Sequence, residues 1–82
     1  MSQAIPDVVY AALAAQLGIP AADLVRRQDD GLDRLGLDSH GLMRVLLDVE
    51  RALGLPSLDL DDAALESPAT LVAGVAAVAR GP

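Results

Sequence analysis

One serine of this chain stands where a hydroxyl group could do chemistry. Ser39 follows an acidic residue, Asp38, and precedes the only histidine, His40. A serine beside a histidine and a carboxylate could serve as a nucleophile. A serine at the start of a helix could instead hold an anion, because the free N–H groups and the helix dipole favour negative charge there. The surrounding sequence decides between these chemistries.

A strongly periodic helix follows directly after this serine. Apolar residues recur at steps of three and four, which is the spacing of one face of an α-helix. They are Leu42, Val45, Leu46, Val49 and Leu53. Asp38 and Ser39 are both good N-cap residues, and Gly54 with Pro56 marks the end of the helix. The sequence therefore predicts a helix from Ser39 to Leu53, with the hydroxyl at its positive end.

Two further helices are predicted to pack on this one. The first runs from Ser2 to Leu17, with Ser2 or Asp7 as its cap, and the last runs from Thr70 to Arg80, after a break at Ser67-Pro68. Each carries one apolar stripe. Since no strands are predicted, the helices can bury these stripes only against each other.

A long loop and a short helix complete the predicted fold. Residues 21–38 are expected to form a loop that begins with a single turn and is anchored on the core by leucines and a valine. The anchors are Leu24, Val25, Leu32, Leu35 and Leu37. Asp61-Asp62 is expected to cap a short helix over Ala63 to Leu65. The prediction is an all-α, small four-helix bundle in a single domain, residues 1–82, with three main helices, one short helix and a long first loop.

Composition narrows the classes of function. The 82 residues include twelve acidic side chains, six arginines, no cysteine and a single aromatic residue, Tyr10. A formal net charge of -6 argues against nucleic acid as a partner. The apolar runs are too short to span a membrane, and no signal peptide is recognisable. We therefore expect a cytoplasmic monomer without a nucleic-acid or membrane partner.

Catalysis and metal binding find little support in the sequence. Neighbouring side chains on a helix point about 100° apart, so His40 is poorly placed as a general base for Ser39. One histidine and scattered carboxylates also give no metal-ligand cluster. Two alternatives then remain for the serine, which are a helix cap and a point of attachment.

The sequence L-G-L-D-S at residues 35–39, followed by an amphipathic helix, resembles the acyl carrier protein family. The resemblance extends from Ala15-Gln16-Leu17-Gly18-Ile19 to Ser67-Pro68-Ala69-Thr70-Leu71 and so covers essentially the full chain. It implies that Ser39 bears 4′-phosphopantetheine, which a separate phosphopantetheinyl transferase attaches from coenzyme A. It also implies that Asp38 helps to position magnesium and the incoming phosphate, and that the chain is a discrete carrier and no enzyme itself.

The same resemblance implies a surface that partner enzymes recognise. Its candidate residues are Leu37, His40, Met43, Arg44, Leu47, Asp48 and Arg51. For Met43 and Leu47, packing in the core is an equal alternative. The chain departs from the family at His40, where Leu or Ile is common, and in mixing arginines with acidic residues along this helix.

These departures favour specialised, polyketide-like metabolism over fatty-acid synthesis. The cargo would be an acyl thioester, and the partners would be the transferase and the loading and elongating enzymes. A second hypothesis is a free-standing aminoacyl or aryl carrier, of the peptidyl type, that serves an adenylating enzyme. A third is a helical interaction module that has the fold and no prosthetic group.

Overall fold

Four α-helices and one 3-10 helix form the fold of residues 4–80, which the computed structural model describes. They are α1 (Ile5–Leu17), α2 (Ala21–Arg26), α3 (Ser39–Leu53), the 3-10 helix (Asp62–Leu65) and α4 (Pro68–Arg80). Helix α1 packs against α2, α3 and α4 and is the central element. The predicted all-α bundle is confirmed. Among the described helices, none combines the length and the apolar character needed to cross a bilayer.

The core is purely aliphatic. Its fully buried leucine and valine side chains are Val9, Leu13, Leu24, Val45, Val49, Leu71 and Val75. Burying such a side chain contributes about 1.5–3 kcal/mol. Because every described helix except the 3-10 helix supplies at least one of them, the core joins α1, α2, α3 and α4 to one another.

The segment after α1 is more ordered than predicted. Residues 21–26 form α2 rather than a single turn in a long loop. Leu24 is buried as expected, but Val25 is 45% exposed, so its prediction as a second anchor is wrong. Adjacent residues on a helix point about 100° apart, so only one of the two can face α1. Leu32 and Leu35 are buried in the core as predicted.

Helix α1 begins without a side-chain cap. Its N-cap residue is Ala4, so the prediction that Asp7 caps the helix is wrong. Asp7 lies in the first turn, where the positive end of the helix dipole still stabilises its carboxylate. Ser2, the other predicted cap, lies outside the described residues.

Helix α4 begins two residues earlier than predicted. Pro68 is its first residue, which is tolerated because the first helical position needs no N–H donor. Ser67 and Thr70 bond each other across this start. The Thr70 N–H donates to Ser67 Oγ at 3.3 Å, and the Ser67 N–H donates to Thr70 Oγ1 at 2.9 Å. The predicted break at Ser67-Pro68 is therefore a capped helix start.

Two backbone hydrogen bonds join the loop after α2 to the start of α4. The Leu32 N–H donates to the Glu66 carbonyl at 2.8 Å, and the Ala69 N–H donates to the Gln28 carbonyl at 3.0 Å. The buried Leu32 side chain also packs the same loop against the core. These contacts hold the loop that leads into α3 against the 3-10 helix and α4.

The half-buried Tyr10 is expected to make the stability of the fold depend on pH in the alkaline range. Burial raises the pKa of this phenol above 10.0, and the nearby Asp29 carboxylate raises it further. A group whose pKa is higher in the folded state stabilises the fold below its unfolded pKa, and that contribution is lost as pH rises through the folded value. We expect the free energy of unfolding to fall above about pH 10, and to fall less in Tyr10→Phe. Urea titrations across this range measure the effect, and identical declines in both proteins would contradict it.

Candidate functional site

Asp38 caps helix α3. Its Oδ1 accepts a hydrogen bond from the Gly41 N–H at 2.6 Å, and its carbonyl oxygen accepts one from the Leu42 N–H at 2.9 Å. The residue itself has an extended backbone, as N-cap residues do. The sequence left Asp38 and Ser39 as equal candidates for this role, and the structure assigns it to Asp38. Ser39 is the first residue of the helix proper.

The Ser39 hydroxyl is exposed and unengaged. Within residues 4–80, no hydrogen bond involves its Oγ, and none accepts from the amides of Ser39 and His40. First-turn amides lack acceptors inside their own helix and carry the positive end of its dipole. The start of α3 therefore offers a free hydroxyl beside two unused N–H donors.

A cleft of about 450 Å³ opens beside Ser39. It lies between the loop before α3, the first turn of α3 and the 3-10 helix. Four leucines line it, namely Leu32, Leu37, Leu42 and Leu65, together with the acidic residues Asp33, Asp38 and Glu66. A group attached at Ser39 can thus reach an apolar recess bordered by carboxylates.

Because Gly41 has no side chain, the loop before α3, the Asp38 cap and α1 can pack close to one another at this position. A Cβ atom at this position would lie 3.0 Å from Leu37 Cδ1, 3.1 Å from Asp38 Oδ1 and 3.2 Å from Gln16 Nε2. A side chain there would therefore push the Asp38 carboxylate away from the amide that it caps. Sequence reasoning missed Gly41, although a glycine inside a predicted helix, which costs about 1 kcal/mol relative to alanine, was a signal.

The predicted partner surface divides into exposed and buried residues. Six of the seven are exposed, and they are His40, Met43, Arg44, Leu47, Asp48 and Arg51. Met43 is 61% exposed and Leu47 is 44% exposed, so core packing does not account for either. Leu37 is only 7% exposed and packs into the space that Gly41 leaves, which confirms its prediction as a core anchor and corrects its place on the partner surface. Its side chain belongs to the core and to the wall of the cleft.

Catalytic and metal-binding geometry is not found around Ser39. No hydrogen bond joins Ser39 to His40 within the described range. In the same residues, no three histidine or carboxylate side chains are grouped to hold a metal ion. The exposed hydroxyl and the two unused amides make Ser39 accessible for attachment of a group.

The capping role of Asp38 can be separated from its charge. We expect Asp38→Ala to lower the free energy of unfolding by about 1 kcal/mol, because the Gly41 amide loses its acceptor. Asp38→Asn keeps an acceptor oxygen and should retain most of that stability. Urea unfolding followed by circular dichroism measures both variants. Equal losses in the two would show that the charge, and not the hydrogen bond, stabilises the helix start.

Most of the chain matches a known protein family. The family described as "Phosphopantetheine attachment site" matches residues 7–75, a range that runs from α1 into α4 and includes Ser39 and its cleft. No curated protein and no solved structure matches the chain.

Proposed function

The chain belongs to the phosphopantetheine attachment-site family, and from this membership we propose that Ser39 is the residue that bears the arm. Members of the family bear 4′-phosphopantetheine as a covalently attached group and are carriers rather than catalysts. The arm, when bound, supplies a terminal thiol on which an acyl group is held as a thioester. The observation that carries the proposal is the exposed Ser39 hydroxyl, which is free because Asp38 caps the helix.

The residues around Ser39 fit such a group. Attachment occurs through a phosphodiester, and the unused amides of Ser39 and His40 lie at the end of α3 where negative charge is favoured. The leucine-lined cleft offers an apolar surface to whatever the arm holds. The attachment site therefore combines an anion-compatible helix start with an apolar recess.

Asp38 has a second role in this proposal, during transfer of the arm. Only its Oδ1 is used by the cap, and Oδ2 makes no hydrogen bond to the described part of the chain. The free oxygen is available to a magnesium ion that the phosphopantetheinyl transferase brings with coenzyme A. Asp38→Asn, which keeps the cap, should then slow the transfer without unfolding the helix start.

The proposed pathway is polyketide-like or another specialised metabolism. Support comes from the exposed outer face of α3, defined as His40, Met43, Arg44, Leu47, Asp48 and Arg51. This face lacks the leucine or isoleucine that commonly follows the serine and the uniformly acidic character of fatty-acid carriers. The partners in this proposal are the transferase and the acyl-loading and elongating enzymes, which meet this face.

A second candidate is an aminoacyl or aryl carrier that serves an adenylating enzyme. The observation in its favour is the acidic lining of the cleft, where Asp33 and Glu66 stand beside the apolar wall. A carboxylate attracts the ammonium group of an aminoacyl thioester. This candidate shares the attachment at Ser39 and differs only in cargo.

Incubation with coenzyme A and a broad-specificity transferase tests the carrier function. The intact mass should rise by one phosphopantetheine group, and fragmentation should place it on Ser39. No mass gain would contradict the proposal and favour an interaction module with the carrier fold. The modified protein is then offered to acyltransferases and to adenylating enzymes, and the enzyme that loads it separates the two cargo classes.

A further inference from the structure

The outer face of α3 presents two large apolar side chains to solvent. Met43 and Leu47 lie one helical turn apart, whereas Val45 and Val49 on the opposite face are fully buried. Single exposed apolar side chains are ordinary on protein surfaces. The charges around this pair are what distinguish it.

Two arginines flank Leu47. Arg44 and Arg51 are seven residues apart, so they lie on the same side of the helix and about 10.5 Å apart along its axis. With Leu47 and Asp48 they line a shallow depression of about 190 Å³. Within residues 4–80, neither arginine forms an ion pair. Asp48 lies between them and is paired with neither.

These arginines contrast with the rest of an acidic chain. The formal net charge is -6, and Arg26 and Arg27 each hold a carboxylate of their own turn, at 2.7 and 2.8 Å. Within residues 4–80, Arg34 and Arg80 also form no ion pair, but Arg44 and Arg51 are the two that share one helix face with exposed apolar side chains, so they make a locally positive site there. Such an arrangement selects and orients a partner more than it adds raw affinity.

We propose that the outer face of α3 docks a protein surface on which two carboxylates, about 10 Å apart, flank an apolar contact. The proposal rests on the carrier function, since a carrier must be recognised by the enzymes that load and unload it. Each guanidinium can hold a carboxylate through paired N–H bonds. Leu47 and Met43 supply the apolar contact, and Asp48 repels a third carboxylate, which fixes the register of docking.

Two synthetic helical peptides test this chemistry on the full chain labelled with 15N. Both carry the same apolar stripe, one with glutamates seven residues apart beside it and the other with lysines there. The glutamate peptide is expected to shift the amide signals of residues 40–51, and the lysine peptide is expected to leave them in place. The negative net charge of the chain attracts the lysine peptide and repels the glutamate peptide. A preference for the glutamate peptide must therefore come from the local arginines.

A charge reversal with a matched control assigns the effect to the two arginines. Arg44→Glu with Arg51→Glu should weaken binding of the glutamate peptide by about tenfold or more. Arg26→Glu with Arg80→Glu lowers the net charge equally, from -6 to -10, but at exposed sites on α2 and α4. Because salt screens distant surface charges, this control should stay within about twofold of the unaltered chain.

The proposal is overturned if residues 40–51 respond to the lysine peptide or to neither peptide. It is also overturned if both double variants lose binding equally, since net charge alone would then explain the result. Mass gain at Ser39, measured on the unaltered chain, tests the carrier function separately. Modification without a peptide response rejects only the docking proposal, and a peptide response without modification rejects only the carrier function.

Discussion

Ser39→Ala is expected to abolish incorporation of phosphopantetheine and to leave the fold intact. In the proposed carrier function the Ser39 hydroxyl oxygen accepts the phosphoryl group, and alanine offers no replacement. The structure predicts little change in stability, because the side chain is exposed and makes no hydrogen bond within residues 4–80. The free energy of unfolding should stay within about 0.5 kcal/mol of the unaltered chain. Intact mass after incubation with the transferase, together with urea unfolding, gives both readouts.

Ser57→Ala is the matched control for this variant. Ser57 is also exposed, and it lies in the segment between α3 and the 3-10 helix. Its removal should leave the mass gain unchanged. A mass gain on Ser39→Ala at the level of the unaltered chain would move the attachment to another hydroxyl and reject the assignment of Ser39.

Leu24→Ala is expected to cost about 2–5 kcal/mol of the free energy of unfolding. Leu24 has no exposed surface and packs where α2 meets α1, so its truncation leaves a cavity. A domain of this length has a total stability of about 4–12 kcal/mol. The variant should therefore be marginally folded or unfolded at room temperature, which urea unfolding or loss of dispersion in the amide spectrum would show.

Val25→Ala is the control that separates the effect of losing a buried side chain from the effect of any truncation on α2. Val25 is the next residue on α2 and is 45% exposed. Its truncation should change the free energy of unfolding by less than about 0.5 kcal/mol. Equal losses at positions 24 and 25 would contradict the orientation of α2 on the bundle.

The bounds of α3 could be predicted in full because its signals are local. Its apolar residues repeat at helical spacing, Asp38 supplies a cap acceptor at one end, and Gly54 takes the left-handed conformation, with φ 67°, at the other. None of these depends on the rest of the fold. Helix α2 could not be predicted in the same way, because six residues are too few to show a period. Which of Leu24 and Val25 faces inward is decided by contact with α1.

The residues of the candidate site could be named from the sequence, whereas part of the packing around them could not. The sequence identifies Ser39 and Asp38 from residue type and position. It leaves open which of them caps the helix, because both types do so. The burial of Leu37 agrees with its prediction as a core anchor, but the space that Gly41 leaves for it was not foreseen. The exposure of Met43 depends on which elements pack on α3, and no local sequence pattern determines that.

The hydrogen bonds from Leu32 to Glu66 and from Ala69 to Gln28 can form only late in the synthesis of the chain. Each joins residues more than thirty positions apart in the chain. A polypeptide growing on the ribosome cannot form them until residue 69 has emerged. The loop that leads to Ser39, and with it one wall of the cleft, is therefore finished only as α4 becomes available to fold. During synthesis, Ser39 emerges well before its surroundings are complete.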